Sequence, residues 1–416
     1  MVKYDAIIVG AGAAGMMAAT VAAERGLEVL LLEKMDQPGR KLRITGKGRC
    51  NLTNTAKLAD TLPHIGSDSR FLRNAYSTFF NRDLMQFFEN RGVELVEERG
   101  GRVFPASGKA LDIFLALING LEQNPHVTIL KESRVAKIYI MDGKLCGVVL
   151  QDGTVYRAPQ VVIATGGQSY PRTGTTGDSY PLLQAVGHRI VPCVPSLTPL
   201  TCAEHIPTEI VGFTLRNVAL SVTDANGKKI SEYFGETTFC DDGIAGPIAL
   251  STSRIVSRRL QDEHLLAHID LKPALDTATL DKRLINDLNA NGNRLLGDAM
   301  RMWLPAELIP LALERLRLPQ YQRLNQVNGA TRRKILALLK DLSFTLIGTH
   351  GWGEAIVTQG GVALKEVNPS TFESRLVPGL FLAGELLDLD ADTGGYNLQI
   401  AFSTGHAAGM ALQKGI

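Results

Sequence analysis

Residues 4–34 read YDAIIVGAGAAGMMAATVAAERGLEVLLLEK, a stretch with an apolar run, a glycine-rich turn, a run of small residues and a second apolar run. Its first apolar run predicts a buried parallel strand, the small residues that follow predict a helix ending at Gly26, and EVLLLEK predicts a second strand. The turn between strand and helix carries the G-x-G-x-x-G pattern of dinucleotide-binding proteins. Gly10 allows a tight turn, Gly12 lets a pyrophosphate approach the backbone, and Gly15 lets the helix pack against the sheet.

The end of the second strand indicates which dinucleotide the turn would hold. Glu33 follows the glycines by about 20 residues, where a carboxylate can accept hydrogen bonds from ribose hydroxyls. An acidic residue favours an unphosphorylated ribose, as in FAD or NAD. The N-terminus of the helix supplies free N–H groups and a positive dipole end for binding the phosphates. We therefore predict cofactor contacts from Gly10, Ala11, Gly12, Ala13, Ala14, Gly15, Glu33 and Lys34.

The stretch at 134–165 favours a flavoprotein over a simple dehydrogenase. It reads as three apolar, alternating strands joined by two Asp-Gly turns, at Asp142-Gly143 and Asp152-Gly153. Such a meander, feeding VVIATGG, resembles the adenine-binding half of two-dinucleotide-domain flavoproteins. Taken alone, ATGG is equally compatible with an ordinary turn of small residues between a strand and a helix.

The C-terminal stretch 376–409 repeats the strand-then-helix arrangement. LFLA predicts a strand that ends at Gly384-Glu385, and Gly394-Gly395 precede an apolar helix from about Asn397 to Leu412. Asn397 is a residue type favoured as an N-cap. A buried terminal helix with a glycine cap would explain the helix but would leave the strand end at Gly384-Glu385 unexplained.

ITGKGRCNLTN, at 44–54, admits four interpretations: a redox cysteine, half of a metal site, a phosphate loop or a surface turn. The metal interpretation lacks partner ligands, and we predict no metal site in the chain. The flanking motifs disfavour a surface turn, and Gly46 and Gly48 would allow close backbone approach and positive φ. Taken alone, Cys50 suggests redox chemistry.

Composition narrows the function classes. Hydrophobic residues make up 45% of the 416 residues, which is enough for substantial cores, and the net charge of +2 gives no strong reason to expect a nucleic acid or anionic membrane as partner. Five scattered cysteines without a CxxC pair suggest a reducing cytoplasm, and we expect neither a signal peptide nor a membrane span.

With these residues in view, the chain resembles the bacterial BaiN-like family of FAD-dependent oxidoreductases, which includes proteins called aminoacetone oxidases and is related to the fumarate reductase superfamily. Most members have no established substrate, and one from a gut bacterium is associated with reduction of unsaturated bile-acid intermediates. The family frequently has a His two residues before the Gly of GIAGP, where this chain has Asp241. The stretches that carry the resemblance are IIVGAGAAG, GRKLRITGKGRCNLTN, GRVFPASGKA, ATGGQSYPRTGTTGDSY, GHRIVPCVPSLTPL, GIAGP, VTQGGVALKEVNPSTFESRLVPGLFLAGE and LDADTGGYNLQIAFSTG.

The resemblance implies further contacts with non-covalently bound FAD. Val135 would border the adenine, Glu385 would hold the ribityl chain, and the helix near Gly395 would direct its N–H groups at the flavin pyrimidine. The segment after Glu33 would fold back along the cofactor, with Cys50 as a small, partly buried neighbour of the flavin. The remaining contacts implied are Arg40, Lys41, Thr45, Gly46, Gly48, Arg49, Cys50, Asn51, Ala164, Thr165, Gly166, Gly384, Tyr396, Asn397 and Leu398.

The predicted fold class is α/β, with a Rossmann-like FAD/NAD(P)-binding domain that contains a three-stranded β-meander. Residues 1–192 and 345–416 would pair into this domain, with an inserted β-rich subdomain at 193–275 and an inserted helical subdomain at 276–344. Prolines interrupt the helical periodicity of the second insertion at Pro305, Pro310 and Pro319. We interpret its basic residues as a solvated helical face; they are Arg315, Arg317, Arg323, Arg332, Arg333 and Lys334.

The chemistry expected is hydride transfer through flavin N5 to or from a small unsaturated or carbonyl-activated substrate. Candidates for the group that moves the proton are Arg172 and Tyr396, then His350 and Tyr170. The sequence contains no second dinucleotide motif, so NAD(P)H is expected at most as a transient donor. The alternatives left open are a tRNA-modifying flavoprotein, an amine or ketone oxidase, and a redox sensor built around Cys50.

Overall fold

The computed structural model describes residues 4–66 and 68–415. The strands in this part of the chain are β1 (Ala6–Val9), β2 (Val29–Leu32), β3 (Thr53–Asn54), β4 (Leu95–Glu98), β5 (Arg102–Pro105), β6 (Val127–Leu130), β7 (Val135–Met141), β8 (Lys144–Leu150), β9 (Val155–Arg157), β10 (Gln160–Ile163), β11 (Ile190–Ser196), β12 (Leu200–Cys202), β13 (Thr214–Thr223), β14 (Lys229–Cys240), β15 (Gly243–Ala245), β16 (Leu265–Asp270), β17 (Leu342–Thr349), β18 (Val357–Val362) and β19 (Leu380–Leu382). The α-helices are α1 (Ala13–Glu24), α2 (Arg40–Ile44), α3 (Leu58–Thr61), α4 (Arg73–Thr78), α5 (Asn81–Glu89), α6 (Ala110–Glu122), α7 (Tyr180–Gln184), α8 (Pro247–Val256), α9 (Thr277–Ala290), α10 (Leu296–Ala299), α11 (Ile309–Leu316), α12 (Gly329–Lys340) and α13 (Tyr396–Ala411).

The chain divides into two compact units, each with its own hydrophobic core. Unit 1 contains the residues up to Pro195 and those from Ala355 onward, and unit 2 runs from Ser196 to Glu354. The domain boundary predicted at 345 falls inside β17, which pairs with strands of unit 2. Among the described residues, no helix combines the length and the apolar character needed to cross a bilayer.

The centre of unit 1 is a five-stranded sheet in the order β19-β10-β1-β2-β6. All four pairs of neighbours run parallel. The side chains of β1 and β2 are buried throughout, as expected for a parallel sheet covered on both faces. This arrangement confirms the Rossmann-like fold predicted from residues 4–34.

The predicted meander is present but is shorter than expected. β7, β8 and β9 form an antiparallel three-stranded sheet, and Asp142 and Gly143 both take positive φ in the first turn, as a type I′ hairpin requires. The sequence pattern predicted one continuous third strand to Thr165. Instead, the chain leaves β9 at Ala158-Pro159, because proline cannot donate to a ladder, and continues as β10 of the central sheet.

Helix α1 lies unusually close to its neighbours. A Cβ added to Gly15 would sit 1.8 Å from the carbonyl oxygen of Gly10, so the first turn of α1 packs directly on the loop after β1. On the other side, Cβ atoms at Gly405 and Gly409 of α13 would sit 2.3 Å from Ala14 O and 2.7 Å from Ala18 O. The two helices therefore pack backbone to backbone, which larger residues at these positions would prevent.

Unit 2 combines a closed β-barrel with helices. The barrel order is β12-β15-β14-β13-β16-β17, and helices α9 and α12 pack together, with α12 against β16 and β17. Trp303 is buried in this core, and its indole N–H donates to Asp287 at 2.8 Å. Of the prolines predicted to interrupt helices, Pro310 stands in the first turn of α11, where its missing N–H is not needed.

Replacing Gly405 by Ala should lower the free energy of unfolding by about 1–3 kcal/mol, because the added methyl group would overlap the α1 backbone. The matched control is Gly120→Ala in α6, where an added Cβ meets no atom within 4 Å and where alanine should add about 0.5–1 kcal/mol. Urea denaturation measures both. Equal stability of the two variants would show that α1 and α13 do not pack this closely.

Candidate functional site

The loops after β1, β10 and β19 meet at the carboxyl edge of the central sheet. A Cβ on Gly10 would lie 2.6 Å from Ala164 O, and a Cβ on Gly384 would lie 2.8 Å from the Ala14 side chain. Four predicted cofactor residues from three distant segments are therefore in direct contact. In open parallel sheets, ligands bind in the crevice at this edge.

The first turn of α1 faces open space. A Cβ on Gly12 would meet no atom within 4 Å, and Gly12 itself has extended backbone at the N-cap. The first N–H groups of a helix lack intrahelical acceptors, and they carry the positive end of the helix dipole. This geometry suits a phosphate group.

Glu33 stands where the predicted ribose contact would be. Its carboxylate accepts hydrogen bonds from the backbone N–H groups of Ala11 at 3.0 Å and Met35 at 2.9 Å. Burial raises the pKa of the Glu33 carboxyl, against the lowering effect of these hydrogen bonds and of Lys34. Since a carboxylate offers about four lone-pair positions, further acceptor capacity is left for hydroxyl groups.

A second carboxylate, that of Glu385, binds groups from three other segments of unit 1. Glu385 pairs with Lys41 of α2 at 2.6 Å, and it accepts from the Ser169 hydroxyl at 2.7 Å and from the backbone N–H of Thr358 at 2.9 Å. Burial raises the pKa of the Glu385 carboxyl, but Lys41, Ser169 and Thr358 outweigh it, and the pKa lies below its ordinary value. Lys41 and Glu385 are both predicted cofactor contacts, but their ion pair with each other was not predicted.

The other predicted basic contacts are also paired with carboxylates. Lys34 bonds Asp178 at 2.8 Å, Arg40 pairs with Asp36, and Arg49 pairs with Glu98 while its guanidinium lies over the Phe104 ring. These charges are thus neutralised within the protein, so the open N-terminus of α1 is the stronger feature for attracting phosphate.

The glycine-rich loop after α2 has an unusual backbone. Gly46, Lys47, Gly48 and Cys50 all take positive φ, between 56° and 84°, and two of them are not glycine. Such strain is kept where surrounding contacts fix the loop. Cys50 is fully buried rather than partly buried, and burial raises the pKa of its thiol to about 12, which makes it a poor nucleophile at neutral pH.

Helix α13 begins one residue earlier than predicted. Gly395 is the N-cap, with a left-handed backbone and room for no side chain, because a Cβ would sit 2.3 Å from Thr53 O. Asn397 is therefore not the cap. Its amide exchanges hydrogen bonds with the backbone of Ala391 at 2.8 and 2.9 Å, which holds the preceding loop.

Three of the four candidate side chains for proton transfer, those of Arg172, Tyr396 and His350, have different surroundings. Arg172 is exposed on a short turn of unit 1. The Tyr396 ring stacks on His64, 4.7 Å between centroids, and His64 lies 2.9 Å from Asp392. In unit 2, the His350 ring lies between the carboxylates of Asp242, at 2.7 Å, and Glu354, at 3.0 Å.

Comparison with known proteins identifies the family. Residues 4–411 match the HI0933-like protein Rossmann domain. The chain belongs to the HI0933-like family.

Two relatives of this family match nearly from end to end. The chain is 31% identical to a 3-dehydro-bile acid delta(4,6)-reductase of Clostridium scindens, covering 97% of this chain and 98% of that protein. It is 30% identical to a ribosomal RNA dihydrouridine synthase of Escherichia coli, covering 99% and 98%. Its fold is also similar to that of a solved quinol-fumarate reductase, with a TM-score of 0.51 and 18% identity over 98% of this chain and 70% of that one.

Membership of this family confirms the resemblance inferred from the sequence and makes the chain an FAD-dependent oxidoreductase. The residues present fit FAD. The open space beside Gly12 can receive a pyrophosphate, and Glu33 retains acceptor capacity for a ribose. The individual cofactor contacts, including those of Val135, Thr165, Gly166 and Leu398, stay predictions.

Removing the charge of Lys41 should destabilise unit 1, because Glu385 would be left as a largely buried carboxylate without its cation. We expect Lys41→Met to cost about 2 kcal/mol at neutral pH, less than the 3–5 kcal/mol typical of fully buried pairs because both side chains are about one-fifth exposed. The control is Arg70→Gln, which removes an exposed pair with Asp68 and should cost less than about 1 kcal/mol.

The loss of stability caused by Lys41→Met should become smaller as the pH falls. The pKa of Glu385 is lowered in the folded state, so the pair stabilises fully above the ordinary value of 4.5 and loses this effect as pH falls through the lower, folded-state pKa. Denaturation of wild type and variant at several pH values measures the difference. A difference that grows on acidification would contradict the assigned pairing.

Proposed function

We propose that this protein uses reduced FAD to saturate a C=C bond conjugated to a carbonyl group in a small molecule. The observation that carries the proposal is the chemistry shared by the bile-acid reductase and the dihydrouridine synthase that match this chain nearly from end to end. A 3-dehydro delta(4,6) bile acid has C=C bonds conjugated to its C3 carbonyl, and a uridine becomes dihydrouridine by saturation of the C5=C6 bond conjugated to C4=O. The two substrates differ greatly in size and polarity but present the same reacting group.

FAD, when bound, supplies the hydride that adds to the β-carbon of such a system. The chain's own contribution begins with binding: the first turn of α1 would hold the pyrophosphate and Glu33 the adenosine ribose. The N-terminus of α13 at Gly395 would stabilise negative charge near the flavin pyrimidine through its free N–H groups. Binding of FAD is proposed to be non-covalent.

The proton that completes the reduction needs a donor, and Tyr396 is the side chain that suits this role best. Burial, with Asp392 and Asp60, raises the pKa of the Tyr396 phenol above its ordinary value, so the hydroxyl stays protonated at neutral pH. Its ring is held in place by stacking on His64, which Asp392 orients. A fixed, protonated phenol at the start of α13 can donate to the α-carbon or to the carbonyl oxygen of an enone.

Arg172 and His350 suit other tasks. A guanidinium does not give up its proton in proteins, so exposed Arg172 could hold a substrate carbonyl or carboxylate but could not act as the acid. Burial lowers the pKa of His350, but Asp242 and Glu354 outweigh burial and raise it. Since both ring nitrogens face these carboxylates, we do not assign His350 as the proton donor.

A second candidate function is the same reduction on a uracil ring within RNA, which the E. coli relative favours. The basic stretch of unit 2 offers partial support. Arg315 donates to Ser343 O and lies over Phe344, and Arg332 pairs with Asp281, so these two cations serve the fold. The cations exposed to solvent are Arg317, Arg323, Arg333 and Lys334. We rank RNA second because the net charge is only +2.

The proposal is tested by the two half-reactions of the purified, FAD-containing protein under anaerobic conditions. NADH and NADPH are each added as transient donor, and loss of the oxidised flavin spectrum is followed. A Δ4-3-oxosteroid, a saturated 3-oxosteroid and unmodified ribosomal RNA are then added separately. Reoxidation by the enone but not by the saturated ketone is the expected result. Reoxidation by RNA alone would establish the second candidate, and reoxidation only by oxygen would indicate an oxidase.

Tyr396→Phe tests the proposed proton donor in the same assay. The variant should lose about 10²–10⁴-fold in the rate of enone reduction while its flavin is still reduced by the donor at the wild-type rate. Tyr321→Phe, at a tyrosine 74% exposed in unit 2, is the control and should behave as wild type. An unchanged enone reaction in Tyr396→Phe would remove this residue from the mechanism.

A further inference from the structure

One end of the unit 2 barrel carries a cluster of three side chains with metal-binding donor atoms. Cys240 is the last residue of β14, Asp242 lies in the turn to β15, and His350 directly follows β17. One donor atom from each lies within 4.8 Å of the others. His350 Nε2 is 2.7 Å and Cys240 Sγ is 3.9 Å from the same oxygen, Asp242 Oδ1. Cys240 and His350 are more than 100 positions apart in the sequence, so the spacing of metal-binding residues along the chain did not indicate this cluster.

The backbone at these positions is held by the barrel. The N–H of His350 donates to Pro199 O at 2.9 Å, and its carbonyl accepts from the Thr198 hydroxyl at 3.1 Å. The carbonyl of Asp242 accepts from the N–H of Cys202 at 2.8 Å. The donors therefore stand on fixed positions, as a preorganised site requires.

The orientation of the His350 ring matches that of a metal ligand. One ring nitrogen, Nε2, faces Asp242, and the other, Nδ1, lies 3.0 Å from the Glu354 carboxylate. Histidines that bind metals almost always donate their second ring N–H to a carboxylate or carbonyl, which fixes the ring and its tautomer. Glu354 occupies the place of that carboxylate.

We propose that Cys240 Sγ, Asp242 Oδ1 and His350 Nε2 bind a divalent cation of the Zn²⁺ class, with Glu354 as the group that positions His350. A sulfur, a nitrogen and an oxygen donor form a set suited to zinc, for which bond lengths of about 2.0–2.3 Å place tetrahedral donors about 3–4 Å apart. The present separations reach this geometry after side-chain shifts of about 1 Å.

The charges balance on binding. In the bound state, M²⁺, the Cys240 thiolate, a neutral His350 imidazole and the carboxylates of Asp242 and Glu354 sum to a net charge of −1. Formation of the M–S bond releases the thiol proton to solvent, and formation of the M–N bond releases any proton carried by Nε2. Three protein ligands leave a fourth position, and the Asp242 side chain, 54% exposed, leaves it open to water or a small ligand.

The test uses the full-length, FAD-containing protein treated with a chelator and then dialysed. Zn²⁺ is titrated by calorimetry, and Co²⁺ is added as a spectroscopic probe whose tetrahedral ligand-field bands lie to the red of oxidised flavin. We expect one equivalent of each metal and a thiolate-to-cobalt charge-transfer band. Cys240→Ser should remove that band and weaken binding at least tenfold, and Asp242→Asn should weaken it as well. Glu354→Gln should keep the stoichiometry and lose about 10–100-fold in affinity.

Cys146→Ser is the matched control, because Cys146 is also partly buried but lies on β8 of unit 1, and it should bind metal as wild type does. Circular dichroism and the flavin spectrum report whether each variant is folded. The proposal is overturned if folded wild type takes up no metal, or if folded Cys240→Ser and Asp242→Asn bind it with unchanged affinity and spectrum.

Discussion

The backbone contact between α1 and its two neighbours is the constraint on which the rest of unit 1 depends. Gly15 lets the first turn of α1 touch the loop after β1, while Gly405 and Gly409 let α13 pack against Ala14 and Ala18. Because both sides of α1 are held by backbone atoms, the open N–H groups at Gly12 have a fixed position at the edge of the sheet. The dipole of α1 is thus available to a ligand without any rearrangement.

The four basic residues that were predicted to contact the cofactor share one property. Lys34, Arg40, Lys41 and Arg49 each pair with a carboxylate of the protein, so they fix loops and are not free counter-ions for phosphate. The pair between Lys41 and Glu385 connects the most segments of the chain, since Ser169 and Thr358 bind the same carboxylate. It ties α2, the loop after β10, β18 and the end of β19 into one assembly.

Local patterns in the sequence predicted what is decided locally. The strand, glycine turn and helix at residues 4–34, the Asp-Gly hairpins and the C-terminal helix all occur as expected, because each depends on neighbouring residues. Pro159, which separates β9 from β10, was also a local signal, but the apolar residues on both sides of it resembled one continuous strand. The cap of α13 was misassigned because Gly395 is required by Thr53, more than 300 positions away. Long-range pairs such as Lys41 with Glu385, or His350 with Asp242, have no signature in spacing and needed the structure.

If the open first turn of α1 receives the pyrophosphate of FAD, an aspartate at position 12 should repel it, and Gly12→Asp is the variant to measure. Gly12 has φ of −87°, and an added Cβ meets no protein atom within 4 Å, so the substitution leaves the fold unstrained. Aspartate is moreover a favoured N-cap and should not lower stability. The measurement is FAD affinity of the folded apoprotein by fluorescence titration. We expect one FAD per wild-type chain and a loss of at least tenfold in affinity for Gly12→Asp, whereas equal affinity in the two proteins would show that the pyrophosphate does not bind at this turn.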